Sequence, residues 1–381
     1  MNFTATVDFI EYWLQSRTFM KHRLPFILLL GLSSCIPFQS VFLGHPDQKD
    51  AKRFKSETIS SDTPCFEFNT VEAGQKIMVN NWTNDLPEFQ SMESLCGEHK
   101  VRSLLVIKND SILFSYQKSG YESNAMHSSY SMSKSIVSCL IGMAIDDGFI
   151  KSEHVLVNEF IPELDTNSSN IKLSHLLNHT SGIQKSLAMD ARIYYGNDIL
   201  NELDKIRFEC APGIKQRYEN MNTQLLALVL SRAVGQSLSK YTEQKLWKQI
   251  GMCHEGSWST DKKGVEKAFC CISATSLDYA KLGRLYLNKG LWGDKRILSE
   301  EWYNKSIRRD TLEGSSFNFN YSWHIGLEKY GDFMAIGLYK QHIYVYPEKK
   351  TIIVLLNDRE NKLLAERVNW WNIFRQISDQ I

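Results

Sequence analysis

The 381-residue chain has no surplus of either charge: 44 Lys and Arg stand against 43 Asp and Glu, for a net charge of +1. Without a basic excess to neutralise phosphates, a nucleic-acid partner is not expected. Proline (8) and glycine (21) are sparse and no repeat recurs, which excludes collagen-like, low-complexity and solenoid chains. The chain has no Gly-x-Gly-x-x-Gly and no P-loop, so neither dinucleotide nor nucleoside-triphosphate binding has a signature. It also lacks a Gly-x-Ser-x-Gly elbow, which removes support for the α/β-hydrolase arrangement. What remains is ordinary globular material, 43% apolar and 23% charged.

Cysteines are present but unpatterned: Cys35, Cys65, Cys96, Cys139, Cys210, Cys253, Cys270 and Cys271. No Cys-x-x-Cys occurs, and setting Cys35 aside leaves an odd number. Neither a disulfide framework nor a zinc site is indicated, and most are expected to be small buried apolar residues. His175 and His179 are four apart, but with no Glu between them and no third ligand nearby they read as structural or capping histidines. No metal or cofactor is expected.

One segment reads as targeting. The basic patch Lys21-His22-Arg23 precedes the apolar run Leu24 to Leu32, and Leu32-Ser33-Ser34-Cys35 follows. A charged region, a short apolar stretch and small residues before a cut describe a secretory signal. Because it ends at Cys35, it resembles a bacterial lipoprotein signal, which implies lipidation of Cys35 and a start at Met20. The alternatives are an uncleaved membrane anchor and a buried helix. A span needs about 20 apolar residues; Leu24 to Gly44 is long enough but is interrupted by Pro25, Pro37, Gln39 and serines. Residues 1–35 are thus expected to be a signal segment and 36–62 a tether and extended arm.

Beyond residue 100 the periodicities are clearer. Val101 to Lys108 and Ser111 to Gln117 are β-rich runs around Asn109-Asp110, a hairpin signal. Ser131 to Ile145 is helical and apolar on most sides, which marks a buried helix. Further helices are predicted over Ile199 to Lys205, Thr223 to Val234, Leu238 to Ile250 and Ser276 to Asn288. Short strands return at Tyr321 to Leu327, Asp332 to Ile336, His342 to Tyr346 and Thr351 to Leu356, and Leu363 to Ile377 is a closing amphipathic helix. Neither strand group makes a full sheet alone. The economical solution is an α+β fold with one antiparallel sheet built from both ends of the chain, flanked by helices, with a helical insertion in the middle. The cleft between the two parts is the natural place for a site.

Two constellations could do chemistry there. In Ser131-Met132-Ser133-Lys134 the amine lies one turn from the hydroxyl, on the same helix face. A serine needs a neighbouring base, and a lysine serves only if burial or positive potential lowers its pKa. The tetrad recurs at Ser115-Lys118, Ser169-Lys172, Ser237-Lys240 and Ser259-Lys262, so spacing alone selects nothing. Ser131 stands out because it opens the most apolar helix; the alternative is an N-cap serine with a solvated lysine. The second constellation is Tyr218-Glu219-Asn220, a phenol and an amide able to move a proton and orient a lysine or carbonyl. Tyr195-Gly196-Asn197 matches it too, and a buried tyrosine bonded to backbone is the competing reading.

Taken in order, Ser131-Met-Ser-Lys134, Leu176-Leu-Asn-His-Thr-Ser-Gly182, Pro212-Gly213, Tyr218-Glu-Asn220 and Gly337-Leu-Tyr-Lys-Gln-His-Ile-Tyr-Val-Tyr-Pro347 resemble the serine β-lactamase-related hydrolases, the class C β-lactamase and penicillin-binding-protein superfamily. The stretch Gly264 to Tyr286 fits the 6-aminohexanoate-dimer hydrolase and esterase branch. The resemblance implies a β-lactamase/transpeptidase-like domain over residues 63–381, with a sheet part near 63–130 and 268–381 and a helical part near 131–267. It implies Ser131 as acylated nucleophile, Lys134 as its activator, and Tyr218 as general base and then acid. Asn220 would position Lys134 and the substrate carbonyl. The Ser131 N–H and one near Ile336 and Gly337 would form the oxyanion hole, and Asp190 and Tyr194 would lie on substrate-contacting loops. One departure is plain: relatives acting on β-lactams carry Lys-Thr-Gly on the site-lining strand, where this chain reads Phe333-Met-Ala-Ile-Gly337. A small, less anionic ester or amide is the expected substrate. A binding or sensor protein that does not turn over, and a DD-peptidase or β-lactamase, remain alternatives. The lipid anchor would place the body at the cell envelope, facing the periplasm or exterior.

Overall fold

The computed structural model describes residues 45–71, 75–83, 86–164, 170–311, 314–358 and 368–381. The chain divides into Met1–His45 and Pro46–Ile381, and the description concerns the second unit. Cys35 and the segment before it lie outside the described residues. Among those described, no helix is long and apolar enough to cross a membrane.

The core of the fold is an eight-stranded sheet in the order Phe319–Asn320, Trp323–Ile325, Phe333–Gly337, Gln341–Tyr346, Thr351–Asn357, Val101–Lys108, Ser111–Gln117, Asn69–Thr70. All neighbours run antiparallel except the last pair. The two halves of the chain meet where Thr351–Asn357 pairs with Val101–Lys108, in the register Ile353 to Val106 and Leu355 to Leu104. The hairpin turns at Asn109 and Asp110, both with positive φ (50° and 60°), the backbone that Asn and Asp tolerate best.

Strand side chains alternate between faces, and here both faces are covered. Leu105, Ile107, Ile343, Val345, Ile352 and Val354 face the helical middle of the chain. Leu104, Val106, Tyr344, Ile353 and Leu355 face the other way, onto Trp370, Ile373, Phe374 and Ile377 of helix Trp370–Gln380. Double coverage explains why Thr351–Asn357 is buried along its whole length.

Helix Met132–Asp146 runs through the larger core with every residue from Met132 to Ala144 buried. Gly142 permits this: a Cβ there would lie 2.4 Å from the Trp302 ring. A smaller sheet, ordered Lys55–Ile59, Gly256–Thr260, Ile272–Ala274, His127–Ser128, leads the chain into that helix. Residues 55–59 of the arm are therefore a paired strand, and 256–260, within the stretch expected to be helical, is a strand too, its β-favouring Ser-Trp-Ser-Thr paired on both sides.

Other departures have local causes. The strand expected over Tyr321 to Leu327 is shortened to Trp323–Ile325, because Tyr321 and Ser322 take left-handed backbone (φ 42° and 66°) in the turn that pairs it with Phe319–Asn320. The Leu238 to Ile250 helix is α-helical over Leu238–Thr242 and widens into a π-turn over Glu243–Trp247. Glu243 is tied there to Lys240 at 2.7 Å and Lys248 at 3.3 Å. The closing helix begins at Trp370; residues 363–367 of the expected span lie outside the described residues. The cysteine expectation needs correction: Cys65 is bonded to Cys253, and Cys270 to Cys271. A sequence separation of 188 hides the first pair, and adjacency, which usually forbids a bridge, hides the second. Cys96 and Cys139 are free and buried as expected.

Candidate active site

Ser131 caps helix Met132–Asp146, but its side chain makes no capping bond, so the hydroxyl is left for another partner. The residue before it, Tyr130, has φ +45°. A bulky side chain in left-handed backbone is strained, and such strain persists only where surroundings impose it. Here the Ser129 N–H is tied to the Ile272 carbonyl at 2.8 Å, and Tyr130 packs edge-on against Tyr339 at 5.4 Å.

Lys134 comes from the first turn and is 1% exposed. Its Nζ donates to Ser131 Oγ at 3.0 Å, to Asn220 Oδ1 at 2.8 Å and to the Phe269 carbonyl at 2.8 Å. All three donors of an ammonium thus have an acceptor, and none of the acceptors is charged. Burial without a bonded anion pulls the amine down to about 7, against the weaker opposing pull of Asp190 and Glu219.

Tyr218 closes the other side of Ser131. Its ring lies 5.0 Å from Lys134 Nζ, and Ser131 is near enough to draw the phenol's pKa down in part. The residue is 40% exposed along the cleft, but its hydroxyl end has lost hydration, which pushes the phenol up to about 12. Behind it, the His179 ring stacks on Tyr218 with centroids 4.5 Å apart and planes 7° apart. His179 Nδ1 accepts the Glu219 N–H at 3.0 Å, so the proton sits on Nε2 and the ring is neutral; burial and the nearby Lys134 hold its pKa well below the usual value. His175 plays the capping part, its Nδ1 accepting the Lys172 N–H at 3.2 Å.

Asn220 begins helix Asn220–Val234 and bridges two groups: Oδ1 faces Lys134 and Nδ2 donates to Asp190 Oδ1 at 2.9 Å. Asp190 belongs to helix Leu187–Tyr195. Burial raises its carboxyl, with Asn220 and Lys134 opposing. Glu219 is 2% exposed and pushed up to about 7, first by burial and then by Asp190. Strand Phe333–Gly337 completes the wall: a Cβ on Gly337 would fall 2.3 Å from the Ser129 carbonyl, so the strand end presses against the chain just before Ser131. Ile336 is half-buried at the same end.

The structure therefore brings Ser131, Lys134, Tyr218, Asn220, Asp190 and Gly337 together, while the Ile336 side chain packs on the other face of the sheet, with the cluster around helix Trp370–Gln380. Tyr194 stands apart from them: its hydroxyl donates to Asp50 at 2.9 Å and its ring packs against Phe54, Tyr195 and Phe269. It lies one helix turn beyond Asp190 on the same face, but its hydroxyl is taken by Asp50 of the N-terminal arm, so it sits behind the site rather than in it. The Phe269 carbonyl, a direct partner of Lys134, has no sequence signal, since any residue supplies one. Ser169, Ser237 and Ser259 belong to tetrads that do not reach the cleft or fall outside the described residues; Ser237, for one, caps helix Leu238–Thr242.

A sheet covered on both faces, with a serine and a buried lysine one turn apart at its edge, is the architecture of a serine hydrolase. The chain belongs to the β-lactamase family, whose model matches residues 99–376. It is 22% identical over 310 residues to the 6-aminohexanoate-dimer hydrolase of Paenarthrobacter ureafaciens, covering 71% of this chain and 75% of that one. Among solved structures, it resembles a Bacillus anthracis protein assigned as a 6-aminohexanoate-dimer hydrolase, with a TM-score of 0.78 at 19% identity over 87% and 92% of the two chains. It also resembles a class C β-lactamase, with a TM-score of 0.57 at 16% identity over 76% and 95%. The two structural likenesses speak to the fold.

Proposed function

We propose that this protein cleaves a small ester or amide through an acyl-enzyme on Ser131, outside the cytoplasm. The carrying observation is the buried Lys134 amine 3.0 Å from Ser131 Oγ. With its pKa near 7, about half of Lys134 is free amine at neutral pH. It takes the Ser131 proton as Oγ attacks the carbonyl carbon. Tyr218, held near 12, is a neutral phenol at that pH. It therefore acts as a relay: it gives its proton to the leaving oxygen or nitrogen as the C–O or C–N bond breaks, and is refilled from Lys134. The Ser131 N–H and a backbone N–H beside Gly337 receive the oxyanion. Water then attacks the acyl carbon, and the same groups return the proton to Ser131.

The strand beside the site carries Phe333, Met334, Ala335 and Ile336, with neither cation nor hydroxyl to hold an anionic carboxylate. A neutral or weakly charged acyl group suits this wall better than a β-lactam. The relative from Paenarthrobacter ureafaciens, by its name, hydrolyses an oligomeric amide, which agrees with this substrate class. The charged, apolar and small-residue order around Cys35 supports an envelope location with a lipid anchor.

The test is a fluorophosphonate probe with the labelled residue mapped by mass spectrometry, alongside aryl-ester hydrolysis. Label on Ser131, and loss of both label and turnover in Ser131→Ala, is the expected result. Unchanged hydrolysis in Ser131→Ala refutes the assignment.

A further inference from the structure

We propose that the bond between the neighbouring cysteines Cys270 and Cys271 is a positioning device for Lys134, formed by oxidation and required to hold the Phe269 carbonyl against the amine. This rests on the reading of Lys134 as the base. The segment 267–272 grips the start of the nucleophile helix at three points. Ile272 O accepts from the Ser129 N–H at 2.8 Å, Ala268 O from Ser133 Oγ at 2.9 Å, and Phe269 O from Lys134 Nζ at 2.8 Å. Cys270 and Cys271 lie between Phe269 and Ile272 of that grip. Their bond closes a small ring around the Cys270–Cys271 peptide, which stiffens the chain one unit beyond the Phe269 carbonyl.

The surroundings fit a fixed turn. Cys271 has φ +72°, a backbone that a non-glycine residue leaves unless held. The turn wraps the buried Trp258 indole, whose Nε1 donates to the carbonyls of Lys267 and Cys270, both at 3.0 Å. The Cys271 carbonyl accepts the Ser259 N–H at 3.0 Å. Both cysteines are buried, so the bond belongs to the floor of the site. The function of the grip is to keep water from the amine: desolvation is the leading cause of the lowered Lys134 pKa. Making the bond removes two electrons and two protons from the thiol pair. A disulfide-bearing oxidant of the compartment accepts them and becomes a pair of thiols.

The experiment uses the full chain. The unreduced protein is alkylated and digested, and the tryptic peptide 268–281 is weighed; the bonded form is two hydrogens lighter and unalkylated. The Lys134 titration is then followed by NMR of 13Cε-lysine, assigned with Lys134→Arg, and by the acid limb of kcat/KM against pH. The comparison variant is Cys270→Ala with Cys271→Gly, in which glycine keeps the left-handed turn without the bond. Cys65→Ser with Cys253→Ser controls for the other disulfide. The expected result is a Lys134 pKa raised by a unit or more in the first variant and unmoved in the second. The acid limb follows it, so the rate at pH 7 falls about fivefold or more, since less free amine remains. Alkylation of both Cys270 and Cys271 before reduction overturns the proposal, as does a Lys134 titration identical with and without the bond. The NMR readout needs no turnover. A wild type that the fluorophosphonate does not label therefore fails the hydrolase reading alone, while the titration still decides this one.

Discussion

Replacing Asn220 with aspartate should switch the site off at neutral pH and leave it recoverable at high pH. Asn220 Oδ1 lies 2.8 Å from Lys134 Nζ, and Nδ2 lies 2.9 Å from Asp190. In Asn220→Asp two carboxyls face each other, and the proton between them goes to Asp190, whose affinity for it is already raised. The new carboxylate is then ionised against the amine. At 2.8 Å and an effective dielectric constant of ~20, the attraction is about 6 kcal/mol before the cost of burying the new charge. That is enough to carry Lys134 from about 7 most of the way to the ordinary 10.5. An upward shift of two to three units cuts the free amine at pH 7 by roughly 50- to 500-fold. The sign is fixed by the mechanism: the working form is deprotonated, so raising the pKa moves the acid limb upward. The assay is aryl-ester kcat/KM from pH 5 to 10, with the rate of fluorophosphonate labelling alongside. Asn220→Ala is the control, because it removes both bonds without adding charge and should lower the rate with the limb still near 7. A profile for Asn220→Asp that superimposes on the wild type, or one depressed equally at every pH, refutes the reasoning.

Two further outcomes are expected. Asp332 is buried and accepts from Arg375 Nε at 2.7 Å and Nη2 at 3.0 Å and from the Tyr344 hydroxyl at 2.8 Å, so Arg375→Met strands a carboxylate in the core. Denaturant unfolding should show a loss of about 3–5 kcal/mol, largely restored by adding Asp332→Asn; a loss under 1 kcal/mol would contradict the role given to the pair. Cys35→Ser should move the protein from the membrane to the soluble fraction of its host without changing Ser131 labelling; retention at the membrane would count against the lipid anchor.

Much of the fold was legible because its periodicities are strong. The Asn109-Asp110 turn and the all-round apolar helix after Ser131 were placed by local chemistry alone, and the two incomplete strand groups forced a shared sheet. The site was half legible. Ser131 and Lys134 share a helix turn, and Asn220 lies within a short motif, so spacing could suggest them. The Phe269 carbonyl is backbone and leaves no mark. Tyr194 shares the Asp190 face one turn further on, and only the fold reveals that its hydroxyl is taken by Asp50, 144 residues earlier in the chain. His179 was read as structural, and its stack on Tyr218 and its Nδ1 acceptor depend on a loop nearly 40 residues away meeting it (separation 40 between His179 and Glu219). The two disulfides were missed for opposite reasons, one pair too distant in sequence and the other too close.

The pairing of Thr351–Asn357 with Val101–Lys108 has a consequence for how the molecule comes into being. The nucleophile is made in the first half of synthesis, but the strand that presses on its entry, Phe333–Gly337, is among the last segments to be added. Until then, helix Met132–Asp146 lacks the strand Phe333–Gly337 beside it, and Tyr130 lacks its edge-on contact with Tyr339. On the proposed function a nascent chain should be silent: the contacts that assemble the site are long-range and form slowly, and a copy cut short before residue 351 would carry Ser131, Lys134, Tyr218 and Asn220 without the completed sheet that holds them.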